Sequence, residues 1–211
     1  MRTATWVLIA VAAVLAGLLL GVALLDRHGR LQRWAAEDPT VARAAQGGDV
    51  KALADLARSR DVPVASEAVR ALGRCGHAGL PDLRGLLKDP RPKVRVAAVL
   101  ALRRAADAET DSALAEAARD GESAVRAAAV SVLGHHKAWR HGDVLIDAME
   151  DADPAVRDRA AVAFREVAGA GLDPRAAGPE RMAGELRALW PEMRQALEAY
   201  YARRETPRAS P

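Results

Sequence analysis

Three small sets of residues in this sequence have types and spacings that could do chemistry. The segment GHHKAWRHGD gathers His135, His136, His141 and Asp143 around Trp139. Imidazoles and a carboxylate are metal ligands, but a metal needs three or four convergent donors steadied by further hydrogen bonds. Adjacent histidines at a helix end diverge, so the segment reads first as a turn with Trp139 packed inward. Its second reading is a basic-aromatic contact patch made by Trp139 and Arg140. Cys75 and His77, in GRCGHAG, are the second set. A cysteine nucleophile needs an activated thiolate and a third group to orient its histidine. The glycines on either side mark a helix stop instead. Third come Asp89 and Arg95, Asp120 and Arg126, Asp151 and Arg157, each pair at the same spacing. As free charges these would form a recognition stripe; as structure they would satisfy the amides of a turn, and that reading is preferred. The chain carries no glycine loop shaped to cradle phosphate and no carboxylates paired for acid–base work. No catalytic residue, metal ligand or cofactor is expected, and the chain is not expected to be an enzyme.

Those residues sit at fixed points of an internal repeat. Taking Val64, Val94, Val125 and Val156 as the origin gives spacings of 30, 31 and 31 residues. Four residues on stand Ala68, Ala98, Ala129 and Ala160, and eight on stand Leu72, Leu102, Leu133 and Phe164. Eleven residues earlier stand Leu53, Leu83, Leu114 and Leu145. Apolar positions at helical spacing, recurring at such a period, predict stacked helical hairpins: an all-α solenoid of about four units. First helices are expected near 50–59, 80–88, 111–119 and 143–150, and second helices near 64–73, 93–105, 124–134 and 155–168. The turns DPRPKV, DGESAV and DADPAV separate them.

The segments DPRPKVRVAAVLAL, DGESAVRAAAVSVLG and DADPAVRDRAAVAF resemble HEAT repeats, most closely the short variety of phycobilin-lyase-type proteins and many bacterial scaffolds. The resemblance covers residues 50–170. It implies a ladder in which Asp89, Arg95, Asp120, Arg126, Asp151 and Arg157 bridge neighbouring turns. The first repeat departs, with Ser59 and Ala65 in the ladder positions. LDPRAAGPERMAGELRALW also looks like the segment that closes some arrays of this type, and Pro191 should kink its helix or start a new one. In such arrays the outward side of the second helices commonly docks partners. At 100° per residue that side takes the second, sixth and ninth positions after each origin valine. It holds Val96, Leu100, Ala127 and Val162, more apolar than a solvated face requires, and these are the candidate partner-binding residues beside Trp139 and Arg140.

Residues 1–25 read as a transmembrane anchor, because the run from Ala4 to Leu25 has no charge. A helix of that length rises about 1.5 Å per residue and spans a hydrocarbon layer of about 30 Å. It ends without a small-x-small cleavage site, so a retained anchor fits better than a long signal peptide. Ala13, Gly17 and Gly21 form a small-residue stripe through which two such helices would pair into a homodimer. The arginines after the span place the following domain in the cytoplasm by the positive-inside rule, although many anchors with one leading Arg insert the other way. Residues 26–49 read as a juxtamembrane segment and capping half-repeat, 171–205 as capping helices and 206–211 as a disordered tail. A net charge of +3 over 211 residues gives no one-sided field, so nucleic acid is not an expected partner. The expected function is a cell-membrane, single-pass scaffold for other proteins, or an accessory subunit of a membrane complex. A chromophore-lyase-like enzyme or partner subunit, and a nucleic-acid-binding solenoid, are the alternatives.

Overall fold

The computed structural model describes residues 38–168 and 178–205, and every regular element among them is helical. Helix α1 (Pro39–Gln46) stands alone, and four pairs follow. They are α2 (Val50–Ala57) with α3 (Val62–Leu72), α4 (Leu80–Leu86) with α5 (Pro92–Ala101), α6 (Ala108–Ala117) with α7 (Ser123–His136), and α8 (Gly142–Ala148) with α9 (Pro154–Ala168). Helix α10 (Pro179–Glu205) comes last. Short 3-10 turns at Gly76–Gly79, Leu102–Arg104 and Trp139–His141 lead into the next pair.

Aspartates set where several helices begin. Asp38, Asp49, Asp61 and Asp107 each accept a hydrogen bond from an amide of the first turn, which otherwise lacks a partner. Pro39 and Pro63 sit in first turns, where the missing N–H costs nothing. Helix α5 ends earlier than the sequence predicts, because Leu102–Arg104 tightens into a 3-10 turn.

The repeat positions are the core. Leu53, Leu83, Leu114 and Leu145 from the first helices are fully buried, as are Ala98, Ala129, Ala160, Leu102, Leu133 and Phe164 from the second. Val64 is the exception among the origin valines, being only partly buried. Only the single helix α1 covers that end of the stack, so α3 turns Ala65 fully inward instead. Each first helix packs on its own second helix, while α3, α5, α7 and α9 pack on one another in order.

Two glycines allow the closest of these approaches. A Cβ on Gly134 would lie 2.6 Å from Cα of Ala163, and one on Gly73 would lie 2.9 Å from Cβ of Ala101. The sequence places both glycines on the outward face; they lie instead where α7 meets α9 and α3 meets α5. At the α5–α7 junction the corresponding residue is Arg103, which is exposed. At the far end, Trp190 of α10 stacks edge-on against Phe164, with ring centroids 5.4 Å apart, and its ring closes over Gly142. Pro191 does not start a new helix, because α10 runs through it as one element.

The single-pass membrane localisation requires correction. No helix among the described residues is long and apolar enough to cross a membrane. Even α10, at 27 residues, carries charged side chains along its whole length. The run from Ala4 to Leu25, its stripe Ala13, Gly17 and Gly21, and the homodimer drawn from it lie outside the described residues, as does the tail 206–211.

Two glycine substitutions separate contact from conformational entropy. Gly134→Ala forces the backbones of α7 and α9 apart and is expected to cost about 1–3 kcal/mol. Gly85→Ala, where a Cβ in α4 meets nothing within 4 Å, is expected to gain about 0.5–1 kcal/mol. Urea unfolding of the two variants checks both signs.

Candidate functional site

The aspartate–arginine pairs form a staggered chain rather than local pairs. The Arg95 guanidinium donates twice to the Asp120 carboxylate, at 2.7 and 2.8 Å, and once to the backbone carbonyl of Asp89 at 2.8 Å. Arg126 repeats this one unit later, with two bonds of 2.7 Å to Asp151 and one of 2.9 Å to the Asp120 carbonyl. Asp120 and Asp151 each also accept an amide of their own turn, from Glu122 and Asp153 at 2.8 Å. The last arginine of the series, Arg157, meets no further aspartate among the described residues and pairs with Glu180 of α10 at 3.2 Å. The first aspartate, Asp89, has no preceding arginine because Ala65 stands there. Arg91 takes its place, bonding the Asp89 carboxylate at 2.8 Å while reaching the carbonyls of Ala57 and Ser59.

These groups are largely shielded, with side-chain exposures of 12–17% for the two central pairs. Arg126 holds the Asp151 carboxyl below the ordinary carboxylate range. Burial pushes Asp120 up, but the bonds from Arg95 and the Glu122 amide outweigh it, and its carboxyl is also lowered. Arg91, Glu180 and the ion pairs of Arg187 with Glu150 and Asp147 escape the sequence reading. Each lies outside the repeated spacing, at an end of the stack where the pattern breaks. Arg126→Ala leaves Asp151 shielded and unpaired and is expected to cost about 2–3 kcal/mol. Arg119→Ala, whose guanidinium reaches only the carbonyl of Ala115 at 3.5 Å, is expected to cost under about 0.5 kcal/mol. Thermal unfolding of both variants tests the contrast.

The histidine segment splits. His136 is buried, its side chain 1% exposed, while His135 and Lys137 point into solvent. The Nδ1 of His136 lies 2.6 Å from the Asp111 carboxylate and its Nε2 lies 2.9 Å from the Arg103 carbonyl. A backbone carbonyl and a carboxylate both accept, so these contacts favour the ring with hydrogen on both nitrogens, the imidazolium. Burial alone pushes it down, but the bonds to Asp111 and Arg103 and the charges of Asp111 and Asp107 prevail and hold it above 6.5. Trp139 is core, 8% exposed, with Arg140 stacked 4.7 Å from its ring centroid. Among the described residues no three His, Cys, Asp or Glu side chains are grouped to hold a metal. Cys75 contacts the Ala71 carbonyl at 3.5 Å and is followed by Gly76 in the left-handed region, at φ 61°.

Because the imidazolium is favoured by folding, its stabilisation is fully present below pH 6.5 and is lost as pH rises through the elevated folded value. His136→Gln is expected to flatten that decline. Urea unfolding of the two proteins from mildly acidic to mildly alkaline pH measures it.

On the outward face of the second helices the apolar candidates divide. Leu100 is 53% exposed and Val162 43%, whereas Ala127 is 8% exposed and belongs to the core. Val96 is partly buried. Ala127 turns inward because α5 and α9 close over α7 from both sides. An open groove of about 820 Å³ runs past Val62, Pro90, Pro92, Val96 and Ala124. A second of about 530 Å³ lies beside Val162, between Ser131 and Ala163. The fold therefore presents a helical surface with exposed apolar residues and no convergent catalytic constellation among the described residues.

Comparison with protein families agrees with the repeat architecture. The family described as HEAT repeats matches residues 50–134 and 110–177. The crystal structure of an engineered protein is similar at a TM-score of 0.49 and 22% identity, over 77% of this chain and 84% of that one. No curated protein matches the chain.

Proposed function

This chain belongs to the HEAT-repeat family, and on that premise we propose that it is a non-catalytic scaffold that binds other proteins through the outward face of its second helices. The observation that carries the reading is Leu100. More than half of this leucine is open to solvent on a helix whose inward positions are already filled by Val94, Ala98 and Leu102. Among the described residues nothing packs over this side chain, and with Val162, 43% exposed, it supplies the apolar part of the contact face. Val96, on the same helix and lining the 820 Å³ groove, extends the contact area beyond one side chain. The stack supplies the second requirement of a scaffold, since its aspartate–arginine chain fixes each unit relative to the next. Fold alone does not name a partner.

Two aspartate substitutions separate contact from core. Leu133→Asp buries an unpaired charge and is expected to abolish cooperative unfolding. Leu100→Asp is expected to leave the melting temperature unchanged while removing companions that co-purify with the tagged wild-type protein. A Leu100→Asp protein that fails to fold, or that keeps every companion, would defeat the proposal.

A further inference from the structure

Where the second helices begin, four arginines hold carboxylates, Arg91 with Asp89, Arg95 with Asp120, Arg126 with Asp151 and Arg157 with Glu180, while Lys93 is exposed and makes no ion pair among the described residues. At the opposite ends of the second helices the arrangement reverses. Arg70, Arg74, Arg103, Arg104 and Lys137 are all exposed, and none makes an ion pair among the described residues.

Two contacts bring these five together. The Gly73–Ala101 approach sets the end of α3 against the end of α5, with Arg70 and Arg74 on one side and Arg103 and Arg104 on the other. The bond from His136 to the Arg103 carbonyl then places the end of α7, with Lys137, beside them. The nearby carboxylates are already engaged. Glu67 accepts the Asp38 amide at 3.1 Å, Asp107 caps α6 through Thr110, and Asp111 holds His136. Leu100 stands three residues before Arg103, one turn away on the same side. The ends of α3, α5 and α7 thus carry five exposed cations that make no ion pair among the described residues, with the exposed Leu100 one turn before Arg103.

We propose that this surface docks an acidic, leucine-bearing segment of a partner protein, with carboxylates on Arg70, Arg74, Arg103, Arg104 and Lys137 and an apolar side chain on Leu100. The inference rests on the scaffold reading and supplies its partner's chemistry. Charge complementarity selects an anion, and Leu100 selects a protein over a nucleic acid, whose backbone offers it nothing apolar. Binding of single strands also uses exposed aromatic rings to stack bases. Trp139, the aromatic residue of the neighbouring 3-10 turn, is buried.

The probe is a fluorescein-labelled peptide alternating glutamate pairs with leucine, titrated with the full chain and followed by anisotropy. Saturable binding that weakens with added salt is expected. Arg103→Glu/Arg104→Glu and, separately, Arg70→Glu/Arg74→Glu should each weaken it about tenfold. Leu100→Ala should weaken it about threefold, and Arg119→Glu should leave it unchanged. Circular dichroism melts confirm that each variant is folded. The proposal is overturned if the peptide does not bind or ignores both double variants. It also falls if a leucine-free peptide of equal charge binds as well, or if a single-stranded oligonucleotide or anionic vesicles bind more tightly. Absence of peptide binding with Leu100-dependent companions retained would sink this inference and spare the scaffold reading, whereas absence of any Leu100-dependent companion would sink both.

Discussion

Each guanidinium in the chain from Arg95 to Arg126 holds three things at once: the carboxylate of the next turn, the carbonyl of its own turn, and the register between them. The fork geometry of arginine makes this possible, because two parallel N–H groups match a carboxylate while another points back. The aspartate is equally committed, since it also takes an amide of its own turn. A partly buried ion pair repays its desolvation only when its remaining donors and acceptors are satisfied, and here the turn backbone satisfies them. The spacing of consecutive turns is thereby fixed, and with it the stacking of the helices that leave them. Between the second helices the Gly73–Ala101 and Gly134–Ala163 approaches set the same register from the packing side.

The ends of the stack show what the ladder needs. At the first full repeat the expected arginine is absent, and Arg91 reaches backward to the carbonyls at the end of α2 while neutralising Asp89. At the last, Arg157 finds Glu180 on the closing helix in place of another aspartate. Both substitutes preserve the same physical requirement by other means: no shielded charge in a turn is left without a partner. The apolar ends are treated alike, with α1 covering α3 and the Trp190 ring laid over Gly142 and Phe164.

Period and burial were legible in the sequence because they are one-dimensional facts. A core position must be apolar in every unit, so Leu53, Leu83, Leu114 and Leu145 align by spacing alone. The staggered partners of the ladder were legible as residue types but not as connections, since a spacing of six residues cannot say whether Arg95 faces Asp89 or Asp120. Facts that depend on how far two helices approach were not legible. Ala127 and Gly134 sit at angles that face outward on an isolated helix, yet α9 comes close enough to cover them. Leu100 occupies an equivalent angle and stays exposed, because the α5–α7 junction has Arg103 where its neighbours have glycine. His136 was read with His135 as one of a diverging pair, and only the meeting of α6, α7 and the 3-10 turn shows that one is a buried cation and the other a surface residue.

The same junction explains why charge collects where it does. Cations at helix C-termini are ordinary, for each is favoured by about 0.3–1 kcal/mol through the helix dipole, and Arg70 and Arg103 lie in such last turns. One cation at each terminus would meet that preference. Arginines at both 103 and 104, with Arg74 and Lys137 at the neighbouring helix ends, go beyond it. The ladder shows how this fold treats a cation it means to neutralise: it sets a carboxylate within 2.7–2.8 Å and shields the pair. At the other edge every nearby carboxylate is spent on a backbone amide, a threonine or His136, and the arginines are left open. Among the described residues the ladder leaves no shielded charge unmatched, whereas these five cations stay open near Leu100, and on the docking proposal the anion that meets them is the partner's.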